Sequence, residues 1–123
     1  MLFETDKFKK FGCFINSRVN KKEGWIADGT GHSFIFSLTH NMLYPIKQEA
    51  KHRVKALMIG DKGPQIGSGL DIYISDRCHF NEESGSNLGG SFDIPSNLFF
   101  GSSQSKSHLA GEENFLIREY EVY

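Results

Sequence analysis

The stretch GSGLDIYISD, residues 67–76, decides how the rest of the chain is read. Gly67 and Gly69 precede a run of period two, with Leu70, Ile72 and Ile74 on one face and Asp71, Tyr73 and Ser75 on the other. Successive side chains of a strand point to opposite faces, so the alternation predicts a half-buried β-strand. The run is short for a helix and carries β-branched and aromatic residues, which also favours a strand. The two glycines permit a positive φ, or close backbone approach, where a Cβ would clash. The expectation is a central strand of an antiparallel sheet, buried on its Leu70, Ile72 and Ile74 side.

Residues 34–38, FIFSL, form the most apolar run and are expected to be buried on both faces. Phe34, Phe36 and Leu38 therefore join Leu70, Ile72 and Ile74 in the predicted core. In Leu43, Tyr44, Pro45 and Ile46 the proline, which cannot donate to a ladder, argues for an edge strand or a strand start. Phe11, Cys13 and Ile15 alternate with Gly12 and Phe14 in a strand apolar on both faces. Further strands are expected at 2–5, at 24–27 before the turn residues Asp28 to Gly31, at 54–59 and at 92–94. Residues 17–23, 76–90 and 101–108 read as polar loops, the second long enough to carry function.

The closing run NFLIREYEVY, residues 114–123, has a phase problem. Phe115 and Ile117 share one face, but Tyr120 and Val122 fall on the other. A β-bulge near Arg118 and Glu119 inserts one residue and brings all four to the same core. Glu121 would then sit beside the core, partly buried, held by backbone N–H groups or a basic side chain, with the strand of Asp71 nearby.

A chain of 123 residues is one small domain. Thirteen glycines between short apolar runs, with eleven Phe and four Tyr, favour a turn-rich, all-β layout. A net charge of −1 produces no field that would draw nucleic acid or a membrane surface. No run reaches transmembrane length, and the N-terminus has no signal-peptide pattern. Lys47, Lys51, Arg53 and Lys55 can be drawn as a basic patch for phosphate or as a solvated loop or helical turn, with Glu49 diluting the charge.

Catalytic motifs are absent: there is no phosphate-binding glycine loop, nucleophile elbow, H-E-x-x-H or paired C-x-x-C. The five histidines sit singly in predicted loops, and Cys13 and Cys78 have no metal-ligand spacing. A disulfide between them is open on paper, but an intracellular reading favours two free thiols. Asp76, Cys78 and His79 could be drawn as a thiol or metal site, but His79 would oppose the other two and no second ligand pair is spaced to join. No metal or other cofactor is therefore expected.

In four blocks the chain resembles the TLDc domain of the oxidation-resistance protein family, amoebal members in particular. Phe11-Gly12-Cys13-Phe14 is similar to the family's Phe-Gly-Gly-aromatic strand, with Cys13 in place of the second glycine. Gly24 to Asp28 followed by 34–38 resembles the Trp-containing turn and the FLFSL strand. Residues 67–74 resemble the GGG-x-DLYI block, and 115–123 the closing F-x-V-x-x-I-E-V-aromatic strand. The resemblance implies a two-sheet antiparallel β-sandwich with few short helices. It also implies that an N-terminal segment carried by the family, helical in part, is missing ahead of Met1. It implies no catalytic centre, and a cytoplasmic, monomeric interaction module in oxidative-stress protection, with the vacuolar proton-pumping ATPase as a candidate protein partner. Glu121, Asp71, Gly69 and Asp76 are the binding candidates carried over from its motifs. Two other classes stay open: a sugar- or ion-binding sandwich using loops 76–90 and 101–108, and a hydrolase or redox enzyme using Cys13, Cys78 or the Asp71 and Glu121 carboxylates.

Overall fold

A computed structural model describes residues 1–16, 24–59 and 63–121. Residues 17–23 and 60–62, with Val122 and Tyr123, lie outside it, and with them the predicted basic loop and the expected place of Val122. Two antiparallel sheets enclose one core. The first has five strands: β1 (Leu2–Thr5), β2 (Lys10–Phe14), β4 (Phe34–Ser37), β5 (Met42–Pro45) and β11 (Ile117–Glu121), in the order β11-β1-β2-β4-β5. The second has six: β3 (Gly24–Ile26), β6 (Leu57–Ile59), β7 (Gln65–Ile66), β8 (Ile72–Tyr73), β9 (Ser84–Ser86) and β10 (Asn114–Phe115), in the order β10-β9-β8-β7-β6-β3. Two short helices complete the described residues, α1 (Ala50–Arg53) and α2 (Ser103–Ser107). The fold is mainly β and two-layered, as the resemblance implies.

The core joins the layers through aromatic rings. Phe11 on β2 meets Phe3 on β1 at 5.9 Å and Phe115 of the opposite sheet edge-on at 5.5 Å. Ile72 and Ile74 are buried, and β8 is interior to its sheet, as its alternation predicts. Leu70 is not part of it: φ is +58° and the side chain is 43% exposed. Residues 67–70 form a turn closed by Leu70 N–H donating to the Gly67 carbonyl, so β8 begins only at Ile72. The turn cancels the first step of the alternation.

In β4 it is Ile35 and Ser37 that face the core, opposite Cys13 and Phe11. Phe34 and Phe36 are half-buried on the outer face, and Leu38 is 55% exposed. Both faces are apolar, as expected, but only one is covered. β5 lies at the edge of its sheet, and Pro45 ends the strand instead of starting it. Residues 76–90 are less loop-like than their composition suggests: Ser84–Ser86 pairs between β8 and β10, and Leu88 is fully buried. Within 101–108 the polar run caps and forms α2, with Ser102 Oγ accepting from Ser105 N–H. Residues 92–94 contribute only an isolated bridge between Phe92 and Ile46.

The C-terminal run divides between the sheets: Phe115 ends β10 in one and Ile117 begins β11 in the other. The predicted bulge is present. Glu4 opposes Glu119 and Thr5 opposes Ile117, leaving Arg118 as the extra residue. The phase is reset, so Tyr120 stands opposite the buried Phe3. Tyr120 is nevertheless 51% exposed, because β11 is an edge strand and its ring stacks on His79 instead of entering the core.

Candidate functional site

The glycine-rich block builds a closed carboxylate cradle. The left-handed turn at Leu70 aims Asp71 inward, where the strand pattern put it on the face away from the core. Its Oδ1 accepts from Ser91 N–H at 2.9 Å, and its Oδ2 from Gly89 N–H and Phe92 N–H at 3.1 Å each. Asp71 is fully buried. Burial pushes its carboxyl up to about 6, against the opposing pull of these N–H donors. Gly69 makes the approach possible: a Cβ there would lie 2.8 Å from the Gly90 Cα and 3.1 Å from the Phe100 ring. Gly67, at φ +80°, would set a Cβ 2.2 Å from Asp71 Oδ1. Lys47 Nζ closes the far side by donating to the Gly89 carbonyl at 2.7 Å.

A second cradle forms at the Trp-containing turn. Asp28 is buried and accepts from the N–H groups of Thr30, Gly31 and Ser33 and from Thr30 Oγ1. Burial works to raise its carboxyl, but the hydrogen bonds from Ser33 and Thr30 outweigh it and hold the group well below the usual carboxylate range. Arg53 donates to the carbonyls of Asp28 and Gly29, so this cation of the supposed basic patch ties α1 to the turn.

The other candidates are dispersed. Asp76 is exposed in the turn after Ile74. Glu121 is exposed, not partly buried, because its register partner Leu2 points to the outer face of the five-stranded sheet. The strand of Asp71 is in the other sheet, so the two carboxylates do not form a pair. Cys13 and Cys78 are free and buried; burial pushes Cys13 up to about 11 and raises Cys78 as well. His79 donates from Nδ1 to the Ile117 carbonyl at 2.8 Å. Among the described residues no three His, Cys, Asp or Glu side chains gather as a metal site, and no helix is long and apolar enough to cross a membrane.

Two histidines that look solitary in the sequence are neighbours in space. His40 and His108 stack at 4.3 Å, only 6° from parallel. His40 Nε2 donates to the His108 carbonyl at 2.7 Å, and the Tyr44 hydroxyl meets His108 Nε2 at 2.6 Å. The cluster latches the end of α2 to the β4–β5 hairpin. With 68 residues separating His40 from His108, no local spacing could have revealed it.

The family model for the TLDc domain matches residues 1–123, and the chain belongs to that family, which the domain ties to oxidative-stress proteins. No curated protein matches the chain. No solved structure matches it either.

Proposed function

We propose that the chain is a non-catalytic protein-interaction module in oxidative-stress protection. It acts in the cytoplasm, with the vacuolar proton-pumping ATPase as its candidate partner. The choice of partner rests on the family, and the non-catalytic reading rests on Asp71. A catalytic carboxylate needs a path to substrate, whereas Asp71 is fully buried and occupied by three backbone N–H donors. Thiol chemistry fares no better, because a buried cysteine with a raised pKa supplies little thiolate. On this reading Gly69 and Asp71 shape the loops, while the exposed Glu121 and Asp76 are the ones a partner can reach.

The test is protection of cells against hydrogen peroxide by the wild-type chain and by a Cys13→Ser, Cys78→Ser double variant. Equal protection is expected. Loss of protection by a double variant that melts like wild type would establish thiol chemistry instead.

A further inference from the structure

The outer face of the six-stranded sheet has a dip over β9. Register sets Asn114, Gly85 and Tyr73 side by side on β10, β9 and β8. Their strand neighbours Phe115, Ser84 and Ile72 are buried, so this row faces outward. Gly85 contributes no side chain, and a hollow of about 350 Å³ lies over it. Two polar runs of the sequence reach this hollow: Glu83 and Asn87 come from 76–90, and Lys106 from 101–108. Leu70 and Glu113 join the lining.

Leu70 is costly where it stands. Its φ of +58° lies in the left-handed region, which crowds the Cβ of a bulky residue, and its side chain is 43% exposed. The turn it closes uses only its backbone N–H, which a glycine would supply as well. Backbone strain of this kind clusters at binding sites. Here it sets an apolar side chain against the hollow, which Tyr73 also lines.

We infer that this hollow binds an uncharged saccharide, with one sugar ring seated over Gly85 and its C–H face against Leu70 and Tyr73. The polar groups around it suit hydroxyls, which both donate and accept. Glu83 and Glu113 offer carboxylate acceptors and Lys106 an ammonium donor. Among the described residues no ion pair engages any of the three. Asn87 Oδ1 accepts from Gly101 N–H at 3.0 Å, which leaves its Nδ2 to donate. Asn114 Nδ2 donates to the Ser84 carbonyl at 3.4 Å, which leaves its Oδ1 to accept. The hollow has the size of a small-molecule site at the lower end of the usual range.

Other occupants fit less well. Two carboxylates repel an anion such as phosphate. Lys106 repels a metal ion or an ammonium group, and among the described residues no three His, Cys, Asp or Glu side chains gather. β9 is paired to β8 and β10, so an extended peptide finds no ladder positions. The inference goes beyond the interaction-module reading and does not depend on it.

The test titrates maltotriose, cellotriose, mannotriose and triacetylchitotriose into the isotope-labelled full chain. Glycerol, sodium phosphate, calcium chloride and spermidine serve as competing probes. At least one trisaccharide should give saturable chemical-shift changes at 70–73, 83–87 and 113–114, with a Kd of about 1 mM, and the competing probes should not. Gly85→Val fills the floor and should abolish binding. A Cβ there meets nothing nearer than the Glu113 carbonyl at 3.4 Å, so the strand should accept it. Leu70→Gly relieves the left-handed strain, so it should melt no lower than wild type yet bind about tenfold more weakly. No saturable binding by any of the four trisaccharides would overturn the inference. So would saturable shifts at these residues from a competing probe alone, or wild-type affinity in either variant.

Discussion

Asp71 shows how one carboxylate can hold a loop. Asp71→Asn puts an amide N–H₂ where at least one backbone N–H needs an acceptor, so a cost of about 1–3 kcal/mol is expected in denaturant unfolding. The pH dependence has a defined sign. The folded carboxyl sits at about 6 against an ordinary 3.8, so the folded state binds the proton more tightly. The contribution of Asp71 to stability should therefore fall as pH rises from about 3.8 to about 6, and the asparagine variant should lack that slope. A variant with the same slope as wild type would mean that another group titrates there. Glu121→Gln, by contrast, changes an exposed side chain and should move stability by no more than about 0.5 kcal/mol. Partner capture lost at unchanged melting would mark Glu121 as a contact residue.

Among the elements, α2 is held by chemistry that acid can undo. Burial lowers the His108 pKa, and the stacked His40 lowers it further. No carboxylate contributes to this shift; the groups that face His108 are His40 from the hairpin turn and Tyr44 from β5. A depressed histidine means that the folded state binds the proton less well than the unfolded state. Stability from this latch should therefore be lost as pH falls below the ordinary 6.5. Hydrogen exchange of 102–111 should quicken there, and His108→Gln should exchange with less pH dependence. Exchange that ignores pH in the wild type would exclude the latch. The edge strand β11 illustrates the complementary point: its bulge at Arg118 resets the phase, yet Tyr120 stays half exposed with its ring against His79.

For the molecule as a whole, stability depends on the core shared by the two layers. Ile72 is fully buried at the centre of the six-stranded sheet, and Ile72→Ala should cost about 2–5 kcal/mol in unfolding free energy. The same burial protects the thiols. Ellman's reagent should label native Cys13 and Cys78 slowly and both rapidly in denaturant; fast native labelling would show that the sandwich opens.

Much of this architecture could be read locally. Alternation placed β2 and β8, a continuous apolar run placed β4, Pro45 marked an edge or a strand start, and the phase break at 117–120 required a bulge. Each depends on a few neighbouring residues, because strand periodicity and turn chemistry are short-range properties. Which apolar face is covered was beyond that reading. Phe34 and Phe36 match Ile35 in hydrophobicity, and only pairing against the second layer puts Ile35 inside. The functional chemistry followed the same division. Gly69 and Asp71 stood out as motif residues, but the role of Asp71 appears only when 67–70 turns and 89–92 arrives from across the sheet. The pairing of His40 with His108 and the separation of Asp71 from Glu121 likewise depend on how distant segments pack. Local pattern specifies what each segment can form, and long-range packing decides what each side chain meets.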